Sequence, residues 1–390
     1  MSQTVILGIA GGIAAYKTPE LIRQLGKADI RVVPVLTKEA LHFVTKTTIA
    51  TVAETPPHID LFSDGPLISH LDIARSADIL VIAPATANLI AKCALGLADD
   101  LLTTVFLAFT GIVLMVPAMH PEMYFNPATQ TNIATLKSRG VRFLGPVQGA
   151  LACKDHGVGR MAEPPVIVRN IQAMMAGEPL KLANRRILIT AGGTRENIDQ
   201  VRVLTNLSTG MLGHCLADVA AFMGADVTLI TTVPPQIPNP EIKHVIPVNT
   251  VAEMQRALES EIEKADVLYM AAAVSDYTLN PAAGKLRREA DLNLSLVGTP
   301  DLLQSLAPFK GHKTYVGFCL EESDLAERAR KKLTQKGLDY IVANTPASIG
   351  CEKRNILVIS AKKPHDPMPF SGDLMQVARE LLTLSESFPV

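Results

Sequence analysis

Residues 4–17 read TVILGIAGGIAAYK, and residues 186–195 read RILITAGGTR. Each is a short aliphatic, β-branched run that ends in paired glycines and is followed by a helical pattern. A run of this kind fits a strand buried on both faces of a parallel sheet. Glycines at its end let the backbone approach an anion, and a helix N-terminus beyond them offers free N–H groups and a positive dipole end. Neither turn has the dinucleotide or P-loop spacing, so each by itself is a weak phosphate signal, outweighed by an ordinary strand–helix turn. The chain opens the same kind of α/β unit twice.

Outward from the first turn, the strands expected are Val5–Ala10, Arg31–Leu36, Ile79–Ala83 and Ile112–Val116. Between them lie helical patterns at Ala14–Gly26, Lys38–Phe43, His70–Ser76 and one long stretch from Ala87 to Phe109. From the second turn, strands at Arg186–Thr190, Val227–Thr232, Val267–Ala272, Thr314–Gly317 and Tyr340–Ala343 alternate with helices Leu212–Gly224, Val251–Lys264 and Asp324–Lys336. This rhythm predicts two doubly wound, mostly parallel α/β domains in series. Gly177-Glu178-Pro179 interrupts a helical pattern that begins near Pro165, which divides the chain into domains 1–178 and 179–390.

Composition narrows the function. With 390 residues the chain is long enough for two cores. A formal net charge of −1 gives no field to attract nucleic acid or a membrane surface, so a bound anion needs local geometry. Trp is absent and aromatics make up 4%, which favours helix-covered parallel sheets over an aromatic-rich sandwich. The five cysteines are scattered, which argues against a disulfide framework or zinc site and for a reducing cytosol. Neither a signal segment nor a bilayer-length apolar run is read, so a soluble cytoplasmic protein is expected.

Several segments carry candidate chemistry. Ala83-Pro84-Ala85-Thr86-Ala87-Asn88 ends a strand with polar groups at the sheet's carboxyl edge, where open α/β sheets bind ligands. Ser69-His70 precedes a helix, and from local sequence His70 is a surface residue of its first turn. Pro117–Met123 is a Pro-rich shaped loop. Three glycines, Gly149, Gly157 and Gly159, suggest a mobile loop around Cys153, whose thiol either reaches a bound substrate or is an ordinary loop cysteine. In the second unit, Thr205-Asn206-Leu207-Ser208-Thr209-Gly210 suits an anion or an N-cap, and Gly284-Lys285-Leu286-Arg287-Arg288 is a basic loop near a sheet edge.

In their order, these pieces make residues 1 to about 175 resemble the flavin-dependent cysteine decarboxylases, phosphopantothenoylcysteine decarboxylase in particular. The matches are Gly11–Lys17, Ser69-His70, Ala83–Asn88, Asp99–Leu102, Pro117–Met123 and the Cys153 segment. The resemblance implies a flavodoxin-like domain with FMN held by Gly11, Gly12, Ile13, Thr37, Phe43, Pro84, Ala85, Thr86 and Asn88. It further implies oxidation of the substrate's cysteine thiol towards a thioaldehyde with His70 as base, loss of carbon dioxide, and re-reduction with Cys153 as proton donor. His120 stands at the position that grips the substrate carboxylate. An imidazole titrating near neutral pH and a loop thiol suit such proton transfers.

Residues 185 to about 385 resemble phosphopantothenate–cysteine ligase, and the tandem order matches the fused bacterial form. The matches are Ile189–Arg195, the Asn206 loop, Ala271–Tyr277, Lys285, Val316-Gly317-Phe318 and Val342-Ala343-Asn344. The resemblance implies a Rossmann-like domain in which 4′-phosphopantothenate, CTP and Mg²⁺ give an acyl-cytidylate, and cysteine then displaces CMP. Asn206 and Lys285 would stabilise that intermediate and its phosphate charge. Gly192, Gly193, Met270, Ala271, Ala272, Asp276, Thr299, Pro300, Asp301, Phe318, Lys332 and Lys336 would frame the nucleotide. The resemblance names no metal ligands. It implies a homo-oligomer, trimeric through the first half and dimeric through the second.

The chain departs from the two family patterns at Gly12 (usually Ser), His120 (usually Asn), Met211 (usually Lys) and Thr299 (usually Asn), and its Lys285 loop is one residue short. Two alternatives therefore stand beside the bifunctional enzyme. One is a partly degenerate relative whose decarboxylase half is inactive, altered in substrate, or only a binding or regulatory module. The other is an unrelated flavin or nicotinamide oxidoreductase.

Overall fold

The computed structural model describes residues 3–62, 70–150, 156–176, 181–235, 239, 241–287, 292–351 and 353–384. Ser69, Cys153, Asp155 and Arg288 lie outside the described residues. The chain forms two compact units, Met1–Met175 and Ala176–Val390.

In the first unit the strands are β1 (Thr4–Ile9), β2 (Arg31–Leu36), β3 (Ile79–Ala85), β4 (Ile112–Pro117) and β5 (Arg142–Phe143). They pair in the order β2-β1-β3-β4-β5, all parallel. Every residue of β1 and β3 is buried, as the unbroken aliphatic runs require. Ile6, Leu80, Ile82 and Val35 pack with Leu89, Ile90, Leu102 and Val105 in one core, each such side chain contributing about 1.5–3 kcal/mol.

The expected long helix from Ala87 to Phe109 is two helices, Ala87–Leu95 and Leu101–Ala108. Gly96 ends the first in the left-handed conformation at φ +74°. Asp100 starts the second with a capping box, its carboxylate accepting from Thr103 N–H while Thr103 Oγ1 accepts from Asp100 N–H.

Gly149, Gly157 and Gly159 lie in strands that flank the expected mobile loop, and residues 151–155, Cys153 among them, lie outside the described residues. β6 (Val147–Ala150) and β7 (His156–Arg160) form an antiparallel pair on either side of the Cys153 residues. Here glycine serves close approach rather than looseness. A Cβ on Gly159 would come within 2.2 Å of the Met119 carbonyl oxygen, and one on Gly157 within 2.8 Å of Pro121. Met119 N–H donates to Gly159 O at 3.0 Å, so this pair of strands is seated on the Pro117–Met123 loop.

The second unit contains β8 (Arg186–Ala191), β9 (Arg195–Asn197), β10 (Val203–Thr205), β11 (Asp226–Thr231), β12 (His244–Pro247), β13 (Val267–Met270), β14 (Tyr277–Thr278), β15 (Val297–Gly298), β16 (Thr314–Leu320), β17 (Tyr340–Asn344), β18 (Lys353–Ser360) and β19 (Lys363–Asp373). Its large sheet runs β12-β11-β8-β13-β16-β17-β18-β19, parallel as far as β17 and antiparallel beyond. β9–β10 and β14–β15 are small antiparallel pairs. The buried tyrosines are satisfied: Tyr269 OH donates to Leu381 O at 2.8 Å and Tyr315 OH to Leu306 O at 3.1 Å.

Candidate functional sites at two switch points

In the first sheet the strand order reverses between β1 and β3, and in such sheets ligands bind beyond the carboxyl ends at that point. A cavity of about 840 Å³ lies there, within the roughly 300–1,000 Å³ usual for ligand pockets. Gly11, Gly12 and Ile13 line it from β1, Thr37 from β2, Thr86 and Asn88 from β3, and His120 from β4. Thr86 Oγ1 caps the helix behind it by accepting from Leu89 N–H at 3.3 Å.

Other expected residues stand apart from this wall. Pro84 and Ala85 lie inside β3, where their carbonyls accept from Ala10 N–H at 3.3 Å and Ala118 N–H at 3.0 Å, holding the neighbouring strand ends together. Phe43 is exposed and does not line the cavity. His70 is half-buried at the start of helix His70–Arg75 and does not line it either.

Two observations favour a bound flavin here. Thr37 Oγ1 is buried without a hydrogen-bond partner, a state that costs about 1–3 kcal/mol unless something else supplies the bond. The Gly11-Gly12 turn keeps the floor bare of side chains.

The charges lining the cavity escaped sequence reasoning, although Lys17 and Asp100 sit in quoted motifs. Lys17 Nζ meets Glu163 Oε1 at 2.7 Å, and Arg160 donates to the same oxygen. Burial alone would push the Glu163 carboxyl up, but Lys17 and Arg160 hold it below the ordinary glutamate range. Lys92 bonds Asp99 at 2.8 Å and Asp100 at 3.3 Å, Asp99 above all holding its pKa up. His120 caps helix Pro121–Tyr124, its Nδ1 accepting from Glu122 N–H at 3.4 Å. An Asn at that position caps in the same way, so the departure preserves the turn. Burial pushes the Cys93 thiol up to about 12 and that of Cys319 up to about 11, so neither is a ready thiolate.

In the second sheet the order reverses between β8 and β13, which repeats the dinucleotide-fold pattern when only strands of the large sheet are counted. Gly192 and Gly193 close against the residues after β13: Ala273 N–H donates to Gly192 O at 2.8 Å, and Thr194 N–H to Ala273 O at 3.2 Å. Ala272 N–H donates to Thr190 Oγ1 at 3.0 Å, which fixes Met270-Ala271-Ala272 at this edge. Asn206 Nδ2 donates to Ala273 O at 3.3 Å and Val274 O at 3.1 Å.

Gly210, at φ +73°, turns the chain from the Asn206 loop into helix Met211–Phe222. A Cβ on Gly192 would lie 2.2 Å from Thr232 Oγ1, itself buried and without a partner. Thr299 Oγ1 donates to Ser275 O at 2.6 Å and its N–H to Asp276 O at 3.0 Å, so Thr fills the Asn position with local bonds. Asp301 caps the helix that follows Pro300 and pairs with Lys336 at 3.2 Å. Lys332 pairs with Glu321 at 2.7 Å, which holds that carboxyl below its ordinary range. Phe318 lies half-buried in β16, and Lys285 is exposed in the loop after β14.

A flavin-type sheet followed by a dinucleotide-type sheet defines a two-domain α/β enzyme. Residues 1–176 match the Flavoprotein family, and residues 182–387 match the DNA/pantothenate metabolism flavoprotein C-terminal domain. The coenzyme A biosynthesis bifunctional protein CoaBC of Vibrio vulnificus is 40% identical over 347 residues, covering 87% of this chain and 86% of the relative. That of Bacillus subtilis is 37% identical over 398 residues, covering 99% and 98%. The crystal structure of the C-terminal domain of a CoaBC protein is 31% identical and covers 53% of this chain and 96% of that one, with a TM-score of 0.46. The chain belongs to the family of bifunctional coenzyme A biosynthesis proteins, and is an enzyme of that pathway with a decarboxylase half and a ligase half. Identity across both halves removes the unrelated oxidoreductase and does not favour a degenerate half.

Proposed function

We propose that the ligase half joins 4′-phosphopantothenate to cysteine with CTP, and that the decarboxylase half converts the resulting phosphopantothenoylcysteine to 4′-phosphopantetheine with FMN. The observation that carries this reading is that Gly11, Gly12, Ile13, Thr37, Thr86, Asn88 and His120 line one cavity at the first switch point, while Gly192, Gly193, Asn206 and residues 271–273 meet at the second.

In the ligase half, the substrate carboxylate attacks the α-phosphorus of CTP, pyrophosphate leaves, and an acyl-cytidylate forms. The amine of cysteine then attacks the acyl carbon and CMP leaves. Charge develops on phosphate and carbonyl oxygens, so positioned cations and amide donors supply most of the acceleration. Lys285 and Asn206 take those roles. Lys332 and Lys336 reach the nucleotide by exchanging Glu321 and Asp301 for phosphate oxygens. Mg²⁺ would offset the phosphate charge, a role that calls for only one or two protein carboxylates. Asp276 offers an exposed one at this edge.

In the decarboxylase half, Gly11, Gly12, Ile13, Thr37, Thr86 and Asn88 would hold FMN, with Pro84 and Ala85 holding the neighbouring strand ends together and Phe43 outside the cavity. A flavin bound there supplies reversible two-electron transfer with the substrate's CH₂–SH unit. His70 stands outside this chain's own cavity, so as the base it would act on substrate held by a neighbouring copy in the trimer; His120 would donate a hydrogen bond to the departing carboxylate, and Cys153 would return a proton. The protein acts in the cytoplasm as a homo-oligomer, trimeric through the first half and dimeric through the second. Domain limits of 1–178 and 179–390 complete the reading. None of the helices among the described residues is long and apolar enough to cross a membrane.

The test is to incubate FMN-loaded enzyme with 4′-phosphopantothenate, cysteine, CTP and Mg²⁺ and follow the products by mass spectrometry. Accumulation of 4′-phosphopantetheine supports both halves. Phosphopantothenoylcysteine alone sinks the decarboxylase steps, and no product sinks the whole reading.

A further inference from the structure

We infer that Asp199 is a positioning residue of the ligase half, whose carboxylate ties the Lys285 loop to the strand that delivers Asn206. The inference rests on the ligase reading above. Asp199 lies in the turn between β9 and β10, and its side chain is 0% exposed. Oδ1 accepts from the N–H groups of Val201 at 2.7 Å and Arg202 at 2.6 Å. Oδ2 accepts from Arg202 Nη1 at 2.5 Å and, across the site, from Leu286 N–H at 3.1 Å.

The first three bonds close the turn from which β10 runs straight to Asn206. The fourth holds the residue next to Lys285. Further bonds join the same two segments: Ala282 N–H to Ile198 O at 3.0 Å, Gln200 Nε2 to Ala283 O at 3.2 Å, and Arg202 Nη1 to Leu286 O at 3.2 Å. Residues 279–287 contain neither helix nor strand, so these bonds do the work that a regular element would. Asn206 is fixed independently by the Ala273 and Val274 carbonyls. Asp199 therefore sets where Lys285 stands relative to Asn206.

The carboxylate is a stable anchor. Burial pushes its pKa up, but the three backbone N–H groups and the Arg202 guanidinium outweigh burial and hold it at about 2. The anchor stays charged throughout the neutral range.

The test uses full-length enzyme carrying Asp199→Asn or Asp199→Ala. Three readouts are taken: pyrophosphate release from CTP and 4′-phosphopantothenate, the KM for cysteine, and amide hydrogen exchange across residues 282–287. The expected result is a fall of about 10²-fold in the turnover of pyrophosphate release, the scale of a reacting group displaced by about 1 Å. The KM for cysteine stays near wild type, exchange at Leu286 accelerates, and the melting temperature falls while both variants stay folded, because the N–H groups of Val201, Arg202 and Leu286 lose a charged acceptor. Wild-type turnover despite accelerated exchange overturns the inference, as does unfolding of both variants, which would make Asp199 a purely structural residue. Failure of the ligase reading looks different: wild-type enzyme then releases no pyrophosphate, whatever Asp199 does to the loop.

Discussion

Lys17 and Glu163, 146 residues apart in the chain, meet at 2.7 Å beside the flavin-type cavity. Lys17 follows the Gly11-Gly12 turn, and its side chain is 11% exposed. Glu163 stands just ahead of helix Pro164–Ala176 and holds Arg160 of β7 as well. One carboxylate thus joins the turn that begins the fold to the pair of strands flanking the Cys153 segment.

Glu163→Gln should destabilise the first unit by about 1 kcal/mol, a charged hydrogen bond discounted for the exposure of Glu163. Denaturant unfolding followed against pH checks the origin. The folded pKa of Glu163 is depressed, so the wild-type advantage is complete above the ordinary glutamate range and is lost as pH falls through the folded value. A difference between the two proteins that persists unchanged at acid pH would contradict the ion pair as its source.

Thr37→Val separates folding from binding. The Thr37 hydroxyl is buried without a partner, so the near-isosteric valine should leave the flavin-free protein equally stable or up to about 1–3 kcal/mol more stable. Flavin affinity should fall about tenfold, one hydrogen bond to a charged or strongly polar acceptor. Fluorescence titration with FMN reads the affinity, and thermal melting of the flavin-free protein reads the stability. Equal FMN affinity in the two proteins would mean that the hydroxyl does not face the flavin.

The sheets were legible because buried parallel strands leave unbroken β-branched runs, as in β1 and β8. The break at Gly96 was not, because the apolar pattern continues on both sides of it. β19 was missed for a physical reason: Pro364, Pro367 and Pro369 argue against a strand, and only an edge strand tolerates them. The glycines at the two switch points were legible as turns. The groups that tension the sites were not: Lys17 with Glu163 and Asp199 with Leu286 join residues 146 and 87 apart. No local pattern encodes such pairs.

Gly11 and Gly12 should respond differently to a side chain. A Cβ on Gly11 would lie 2.3 Å from Glu39 Cβ and 2.8 Å from the Glu39 backbone carbonyl carbon, so the turn must move. A Cβ on Gly12 would sit 3.4 Å from Thr86 Cγ2, an ordinary contact. Gly11→Ala is therefore expected to abolish flavin retention during purification. Gly12→Ser should retain flavin at least as well as wild type, since its hydroxyl adds a donor where an anion approaches. The flavin-to-protein absorbance ratio after gel filtration distinguishes the two, and equal losses in both variants would contradict this picture of the turn.

His120 tests whether the loop needs an imidazole or only a cap. Its Nδ1 accepts from Glu122 N–H at the start of helix Pro121–Tyr124, and Asn is at least as good in that position. His120→Asn should keep the loop shape and the amide donor facing the cavity, so carbon dioxide release from phosphopantothenoylcysteine should stay within about tenfold of wild type. His120→Ala loses the cap, worth about 0.5–2 kcal/mol to the turn, together with the donor. Carbon dioxide release should then fall by about 10²-fold, the lower end of what one positioned proton-handling or donor group supplies. Ligation in the other half should be unchanged by either substitution, which makes it the internal control. If His120→Ala decarboxylates like wild type, the carboxylate is held elsewhere, and the Pro117–Met123 loop serves only as the seat for β7.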